Sequence, residues 1–181
     1  ILLFFSIVVI ANILDYSLFA LTDRQDYRSK IASYRGFEYD SRSKTDVIIQ
    51  SRSHGEKIYP AVYPNLIDNL KIRGKNVTVL GGIANENTLF CNENGQYSRY
   101  HSDEHGFRNP LGLYKEGLQV ALIGDSYVHG ACVGNDETFD AHIRSKYPET
   151  LAFATSANGT LRNFALLKEF VVIDANFDKL D

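Results

Sequence analysis

Several polar side chains follow one another in the stretch ALIGDSYVHG, residues 121 to 130. An apolar run ends at Gly124, and Asp125, Ser126 and His129 come directly after it. A serine just beyond a buried strand holds its hydroxyl at the edge of the sheet. Acyl transfer needs such a nucleophile, with N–H donors about 3 Å from the developing oxyanion. The alternative is an ordinary turn in which Ser126 caps a helix, and an isolated Gly-Asp-Ser favours this alternative.

The elements that would position Ser126 form a regular alternation. The apolar runs at 118–124 and 150–155 predict two strands that are buried on both faces. Helical spacing of apolar residues predicts helices near 136–146 and 160–172, the first capped by Asn135 or Asp136. The order strand, helix, strand, helix predicts a parallel sheet with right-handed crossovers.

Ligands of an open parallel sheet bind beyond the carboxyl ends of its strands. Two such ends occur here, at 124–126 and at 156–159. We therefore expect both loops to face one crevice, with the hydroxyl of Ser126 beside Ala157 and Asn158.

The first half of the chain does not show this alternation of strands and helices. The segment TDVIIQSR (45–52) predicts a strand, and so does KNVTVLGG (75–82). Asn94-Gly95, flanked by apolar and aromatic residues, predicts a β-hairpin. Residues 22–117 are therefore predicted to form a linker and a β-rich appendage.

The chain opens with ILLFFSIVVIANIL, which is strongly apolar but shorter than the roughly 20 residues of a membrane-spanning helix. Because the sequence begins at Ile1 and contains no methionine, we expect it to be part of a longer protein, with more of this run before Ile1. We interpret residues 1–21 as the end of a membrane anchor. A signal-peptide core and a buried helix are the alternatives.

Three long stretches together carry a family resemblance. They are GGIANENTLFCNENGQYSRYHSDEHGFRNP, VALIGDSYVHGACV and TLAFATSANGTLRNFALLKEF. This pattern, over roughly residues 81–171, resembles the SGNH/GDSL hydrolases, in a bacterial membrane-associated branch. The resemblance implies a flavodoxin-like three-layer α/β/α parallel sheet, truncated here, of which residues 118–181 would be the first half. An N-terminal β-rich appendage and a hydrophobic N-terminal helix would precede it.

The resemblance also assigns roles to single residues. Ser126 matches the family's nucleophile, and its N–H matches one oxyanion donor. Ala157 falls where the family usually has a glycine whose N–H is the second donor, and an alanine does not easily adopt a positive φ. Ala152 stands where this branch often has an asparagine. The site-shaping positions are Gly124, Asp125, Asn158 and Gly159.

The general base is not among the matched residues. In the family it belongs to an Asp-x-x-His near the C-terminus, and an asparagine block completes the oxyanion hole; neither is found in this sequence. We expect both to lie beyond Asp181, so no histidine of this chain should bond Ser126 as a base. His129 is interpreted as packing on a neighbouring loop. The chain alone should therefore show only background esterase activity.

The resemblance implies a serine esterase or O-acyltransferase that acts on acyl esters of envelope glycans or lipids through an acyl-enzyme. A non-catalytic glycan-binding module is the alternative, motivated by Ala152 and Ala157. No metal or organic cofactor is implied. A net charge of -3 with scattered Lys and Arg argues against a nucleic-acid partner. The expected location is extracytoplasmic (periplasmic), anchored to the membrane through the N-terminal helix.

The two cysteines are Cys91, before the predicted hairpin, and Cys132, after the serine turn. If the hairpin packs over that turn, the two sulfur atoms meet in a disulfide. Two separate buried thiols are the alternative. The spacing of Cys and His residues predicts no zinc site.

Overall fold

The computed structural model describes residues 8–14, 24–67, 70–115 and 117–173. The chain divides into two compact units. In the described part, the first unit comprises 8–14, 24–41 and 93–96, and the second comprises 42–67, 70–92, 97–115 and 117–173. The chain has a mixed α/β structure with small parallel and antiparallel sheets.

The first unit contains a helical stretch at 8–14 and helix α1, Arg24–Tyr34. Gly95 lies against α1 with φ 98°, and a Cβ there would be 2.2 Å from the Cβ of Ala32. Most of the predicted anchor, 1–21, lies outside the described residues. In the parts of the chain that are described, no helix is long and apolar enough to cross a membrane.

Helix α2, Lys44–Ser53, replaces the strand predicted at 45–52. The prediction was wrong because the capping residues at the start of the segment favour a helix over the strand that the β-branched run Val47-Ile48-Ile49 indicated. Ser43 accepts a hydrogen bond from the N–H of Asp46, whose carboxylate accepts one from the N–H of Ser43. This reciprocal capping box satisfies two N–H groups at the helix start.

The second unit also holds five short strands, two of which are the arms of the predicted hairpin. The strands are β1 Ile58–Pro60, β2 Lys71–Ile72, β3 Lys75–Asn76, β4 Asn87–Leu89 and β5 Arg99–His101. Strands β4 and β5 pair antiparallel around Asn94-Gly95, which confirms the hairpin, and β1 pairs parallel to β4. Of the strand predicted over 75–82, only β3 forms, paired with β2.

The predicted parallel pair is confirmed in the C-terminal part. Strands β6, Val120–Gly124, and β7, Thr150–Ala154, are adjacent and parallel, with Val120 opposite Thr150. Helix α3, Phe139–Arg144, connects them, and α4, Thr160–Leu166, follows β7 and continues as a π-helix over Leu167–Ile173. Short 3₁₀ turns occur at Pro64–Leu66 and Leu113–Lys115.

The region between β6 and α3 differs in one detail from the prediction. Residues 125–133 form successive turns, so Ser126 and His129 do not belong to a helix. The cap of α3 is Thr138, whose hydroxyl accepts from the N–H of Ala141, and not Asn135 or Asp136. Side-chain capping therefore starts α3 later than the sequence pattern indicated.

An aromatic core fastens β7 to the elements around it. Phe107 and Phe153 are 1% and 0% exposed, and their rings meet edge to face at 5.6 Å. Phe170, from the π-helical segment, stacks on Phe153 at 5.5 Å. Leu151, Leu166 and Val171 complete this cluster. The segment before β6 and the helix after β7 thus share one core with the strand itself.

Candidate functional site

Ser126 lies in the turn that begins where β6 ends. The N–H of His129 donates to the Asp125 carbonyl at 2.9 Å, and the N–H of Ala131 donates to the Ser126 carbonyl at 2.9 Å. The Asp125 carboxylate accepts the N–H of Tyr127 at 3.1 Å, as expected of a turn-shaping residue. Ser126 is half-buried within this turn.

Gly124 is required by the sharpness of this turn. A Cβ at Gly124 would lie 2.4 Å from Cγ2 of Val128, which folds back over the end of the strand. A larger residue would push the turn away from β6. The glycine therefore fixes how closely the Ser126 turn follows the strand.

The loop after β7 lies against the same strand end. Asn158 donates from Nδ2 to the Gly124 carbonyl at 3.3 Å, and its Oδ1 accepts from the Thr155 hydroxyl at 2.8 Å. Asn158 thereby connects the two strand-end loops. Gly159 follows as the N-cap position of α4 with φ -97°, without a side-chain cap.

Ala157, inside this loop, has a left-handed backbone with φ 64°. The expectation that an alanine would avoid a positive φ is wrong at this position. The bond from Asn158 to Gly124 and the buried Ser156 on the other side hold the loop in this conformation. An outlier held in this way often marks a functional position.

His129 packs on the neighbouring loop and does not bond Ser126. Its Nδ1 lies 3.4 Å from the Ser156 hydroxyl, and its ring lies 4.5 Å from that of Phe90 and 5.6 Å from that of Tyr100. Burial, with Arg108 nearby, lowers the pKa of His129 to about 3. In the described part of the chain, no histidine forms a hydrogen bond with the Ser126 hydroxyl. His129 is neutral at physiological pH and connects the two loops.

Arg108 holds the far side of the Ser126 turn with its whole guanidinium group. Nη1 donates to the Gly130 carbonyl at 2.6 Å and to the His129 carbonyl at 3.4 Å. Nη2 donates to the Val133 carbonyl at 2.9 Å, and both Nη2 and Nε donate to Oδ1 of Asn135. The residue is 8% exposed, and burial lowers its pKa. All five N–H groups of Arg108 are therefore used to fix residues 129–135.

Asn109 holds β7 in place, just as the adjacent Arg108 holds the Ser126 turn. Its side-chain amide forms two bonds with the backbone of Ala152, accepting from the N–H at 2.8 Å and donating to the carbonyl at 3.1 Å. The same Nδ2 donates to the buried carboxylate of Asp103 at 2.7 Å. Asp103 also accepts from the Tyr114 hydroxyl and from the N–H of Phe107.

Cys91 and Cys132 form a disulfide, with their Cα atoms 5.2 Å apart. The sequence left a disulfide and two separate buried thiols as alternatives, and the structure contains the disulfide. Cys91 follows β4 in the hairpin, and Cys132 lies six residues after Ser126 in the turn. The bond ties the hairpin to the candidate site.

The roles of Arg108, Asn109 and Asp103 at the site were not predicted from the sequence. These residues belong to the segment DEHGFRNP (103–110), which comes before the first parallel strand. The available signal was composition, because a cluster of charged and amide residues directly precedes an apolar strand and needs partners when it is buried.

No protein-family model, curated protein or solved structure matches the chain. Among the described residues, no three His, Cys, Asp or Glu side chains are arranged to hold a metal ion.

Proposed function

We propose that the protein is a serine hydrolase or O-acyltransferase of the SGNH/GDSL type, with a flavodoxin-like α/β domain and Ser126 as its nucleophile. One observation carries the proposal: Asn158 holds the loop after β7 against the end of β6, beside the Ser126 turn. This loop contains Ala157 in a left-handed conformation. The N–H groups of Ser126 and Ala157 are the proposed donors to the oxyanion.

In the proposed reaction, the Ser126 oxygen attacks the carbonyl carbon of an ester and gives its proton to a general base. The carbon–oxygen bond to the alcohol then breaks, and the alcohol leaves with that proton. Water or a sugar hydroxyl next attacks the acyl-enzyme and restores Ser126. The base is the histidine of the Asp-x-x-His that the resemblance implies, because the pKa and the contacts of His129 do not suit it to this role.

The proposed substrates are acyl esters of envelope glycans or lipids, reached from a membrane-anchored, extracytoplasmic position. The disulfide between Cys91 and Cys132 supports an oxidising compartment such as the periplasm. The proposal involves no metal or organic cofactor and no nucleic acid.

Labelling of the full-length protein with a fluorophosphonate tests the nucleophile. We expect Ser126→Ala to abolish the label. Ser156→Ala is the matched control, because Ser156 lies in the neighbouring loop and is the serine that contacts His129. We expect this variant to keep the label.

Two results would contradict the proposal. Labelling that survives Ser126→Ala and is lost in Ser156→Ala would assign the chemistry to the pair of Ser156 and His129. A folded full-length protein that takes no label at all would favour the glycan-binding module. Residues 1–181 alone are expected to label only at background, because the proposed base is the histidine of an Asp-x-x-His and these residues contain no such motif.

A further inference from the structure

A cavity of about 210 Å³ lies between β5, the segment before β6, and α3. Its lining includes Tyr100, His101, Arg108, Asn135, Asp140 and Arg144. Neither Ser126 nor Ala157 lines it. The cavity is therefore separate from the proposed oxyanion site, although Arg108 contributes to both.

Asp140 and Arg144 form a paired acceptor and donor in this cavity. Nη2 of Arg144 donates to Oδ2 of Asp140 at 2.6 Å, and Nε donates to the Thr150 carbonyl at 3.2 Å. Their side chains are only 5% and 18% exposed. In the described part of the chain, no protein group bonds Oδ1 of Asp140 or Nη1 of Arg144. The pair thus keeps one acceptor and one donor for a ligand.

The charges in and around the cavity balance. Arg108 and Arg144 are offset by Asp140 and by Glu137, whose charges raise the pKa of Arg108 against the larger effect of burial. The N–H groups of Arg108 are already used by residues 129–135. A charged ligand would find no unmatched counter-charge here, whereas neutral hydroxyl groups both donate and accept.

We propose that this cavity binds one neutral saccharide unit through two adjacent hydroxyl groups, one donating to Asp140 and one accepting from Arg144. The Tyr100 ring forms an apolar wall beside them. Sites for drug-sized ligands have volumes of about 300 to 1,000 Å³, so this smaller cavity fits a single sugar ring. The inference deepens the proposed function, on which it rests for the choice of a saccharide among hydroxylated ligands.

The test is saturation-transfer NMR on full-length protein carrying Ser126→Ala, which prevents turnover. The probes are methyl α-D-glucopyranoside and methyl α-D-mannopyranoside as neutral sugars, and D-glucuronate as the charged one. We expect transfer to at least one neutral sugar. Asp140→Asn should weaken its binding about fivefold, because hydrogen bonds to a charged acceptor are roughly 1 kcal/mol stronger.

Asp136→Asn is the matched control, since Asp136 is exposed and does not line the cavity. It should leave binding unchanged. Should Asp140→Asn fail to fold, Arg144→Lys serves instead, because it keeps the charge and loses the planar fork. We expect that variant also to weaken binding.

Three outcomes would overturn the inference. The first is that neither neutral sugar shows saturation transfer. The second is that a neutral sugar binds, but no folded cavity variant weakens its binding. The third is that D-glucuronate binds and Asp140→Asn strengthens its binding, which would indicate an anion site. Fluorophosphonate labelling of the full-length protein with Ser126 intact separates the proposed saccharide cavity from the proposed nucleophile. Labelling without sugar binding refutes the cavity alone, whereas sugar binding without labelling refutes the nucleophile alone.

Discussion

Ala157 has a backbone conformation that its side chain disfavours. Left-handed φ and ψ angles cost an L-residue about 1 to 2 kcal/mol, because Cβ approaches the following carbonyl oxygen. The φ of Ala157 is 64°, and its neighbours are held by the bond from Asn158 to Gly124 and by the burial of Ser156. The surrounding contacts must therefore outweigh the strain at this one residue.

We expect Ala157→Gly to raise the free energy of unfolding by about 0.5 to 1 kcal/mol, because glycine removes the strain but gains entropy in the unfolded chain. Ala154→Gly is the matched control. Ala154 is 2% exposed in β7 and has no positive φ, so this change should lower stability. Urea unfolding of both variants gives the comparison, and a loss of stability in Ala157→Gly would contradict the prediction.

His129 gives folding stability a dependence on acid pH. Burial, together with Arg108, lowers its pKa to about 3 in the folded protein, whereas a histidine in an unfolded chain has a pKa of about 6.5. Between these two values the unfolded chain binds a proton that the folded chain does not. The free energy of unfolding therefore falls as the pH is lowered through this window, by at most about 1.4 kcal/mol per pH unit from this residue.

Denaturant unfolding at pH 7 and pH 5 checks this expectation. The loss of stability on acidification should be smaller in His129→Gln than in the parent. His142→Gln, at an exposed position, should behave as the parent does. Equal losses in all three proteins would show that His129 has no part in the acid dependence.

At the scale of elements, the sequence predicted the segments whose hydrophobic pattern is strongest. The continuous apolar runs at 118–124 and 150–155 became the parallel strands β6 and β7. Burial on both faces was predicted for both strands; β7 is buried throughout, whereas β6 is only half-buried over Val120–Ile123 because its sheet has two strands. The segment 45–52 became α2 because Ser43 and Asp46 form a capping box that outweighs the β-branched run. The hydrogen bonds between Ser43 and Asp46 at the start of the helix thus outweigh the β propensity of the residues that follow.

The candidate site was predictable only in part, for a related reason. Gly124 ends one strand and Asp125 and Ser126 follow it, so their place at the strand end could be inferred from the chain order. The bonds of Arg108 and Asn109 to residues 129–135 and to Ala152 join segments 21 to 43 positions apart. No periodicity in a sequence encodes which backbone groups such side chains meet.

Asn109 is expected to stabilise β7 more than any exposed asparagine does. Asn109→Ala leaves the N–H of Ala152 and part of the Asp103 carboxylate buried without a partner. It should lower the free energy of unfolding by about 2 to 3 kcal/mol. Asn87→Ala, which removes only an exposed bond to His101, should change it by about 0.5 kcal/mol or less. Similar values for the two variants, measured in urea, would contradict this role.

At the scale of the whole molecule, the tertiary structure of the second unit depends on contacts between segments that are distant in the chain. The disulfide spans 41 residues between the hairpin and the Ser126 turn. The Arg108 bonds reach the same turn from the segment before β6. Short strands give each sheet few ladder bonds, so these cross-connections carry a large share of the tertiary organisation.

Replacing both cysteines, Cys91→Ser and Cys132→Ser, should lower the free energy of unfolding by about 4 kcal/mol, the loop-entropy value for a 41-residue separation. The parent treated with tris(2-carboxyethyl)phosphine should lose a comparable amount, while the double variant should not respond to the reductant. Urea midpoints with and without reductant measure this effect. A parent whose midpoint is the same in both conditions would show that the bond adds no stability.

The guanidinium of Arg108 has a consequence for how the disulfide can arise. Its bonds to the carbonyls of Gly130 and Val133 surround Cys132 on both sides and need no oxidised sulfur. We expect these bonds to keep Cys132 in the same turn in a reduced chain, where they would raise the effective concentration of its thiol at Cys91. On this expectation the polar contacts of Arg108 position one thiol before oxidation, and the disulfide then fixes the position of the turn covalently.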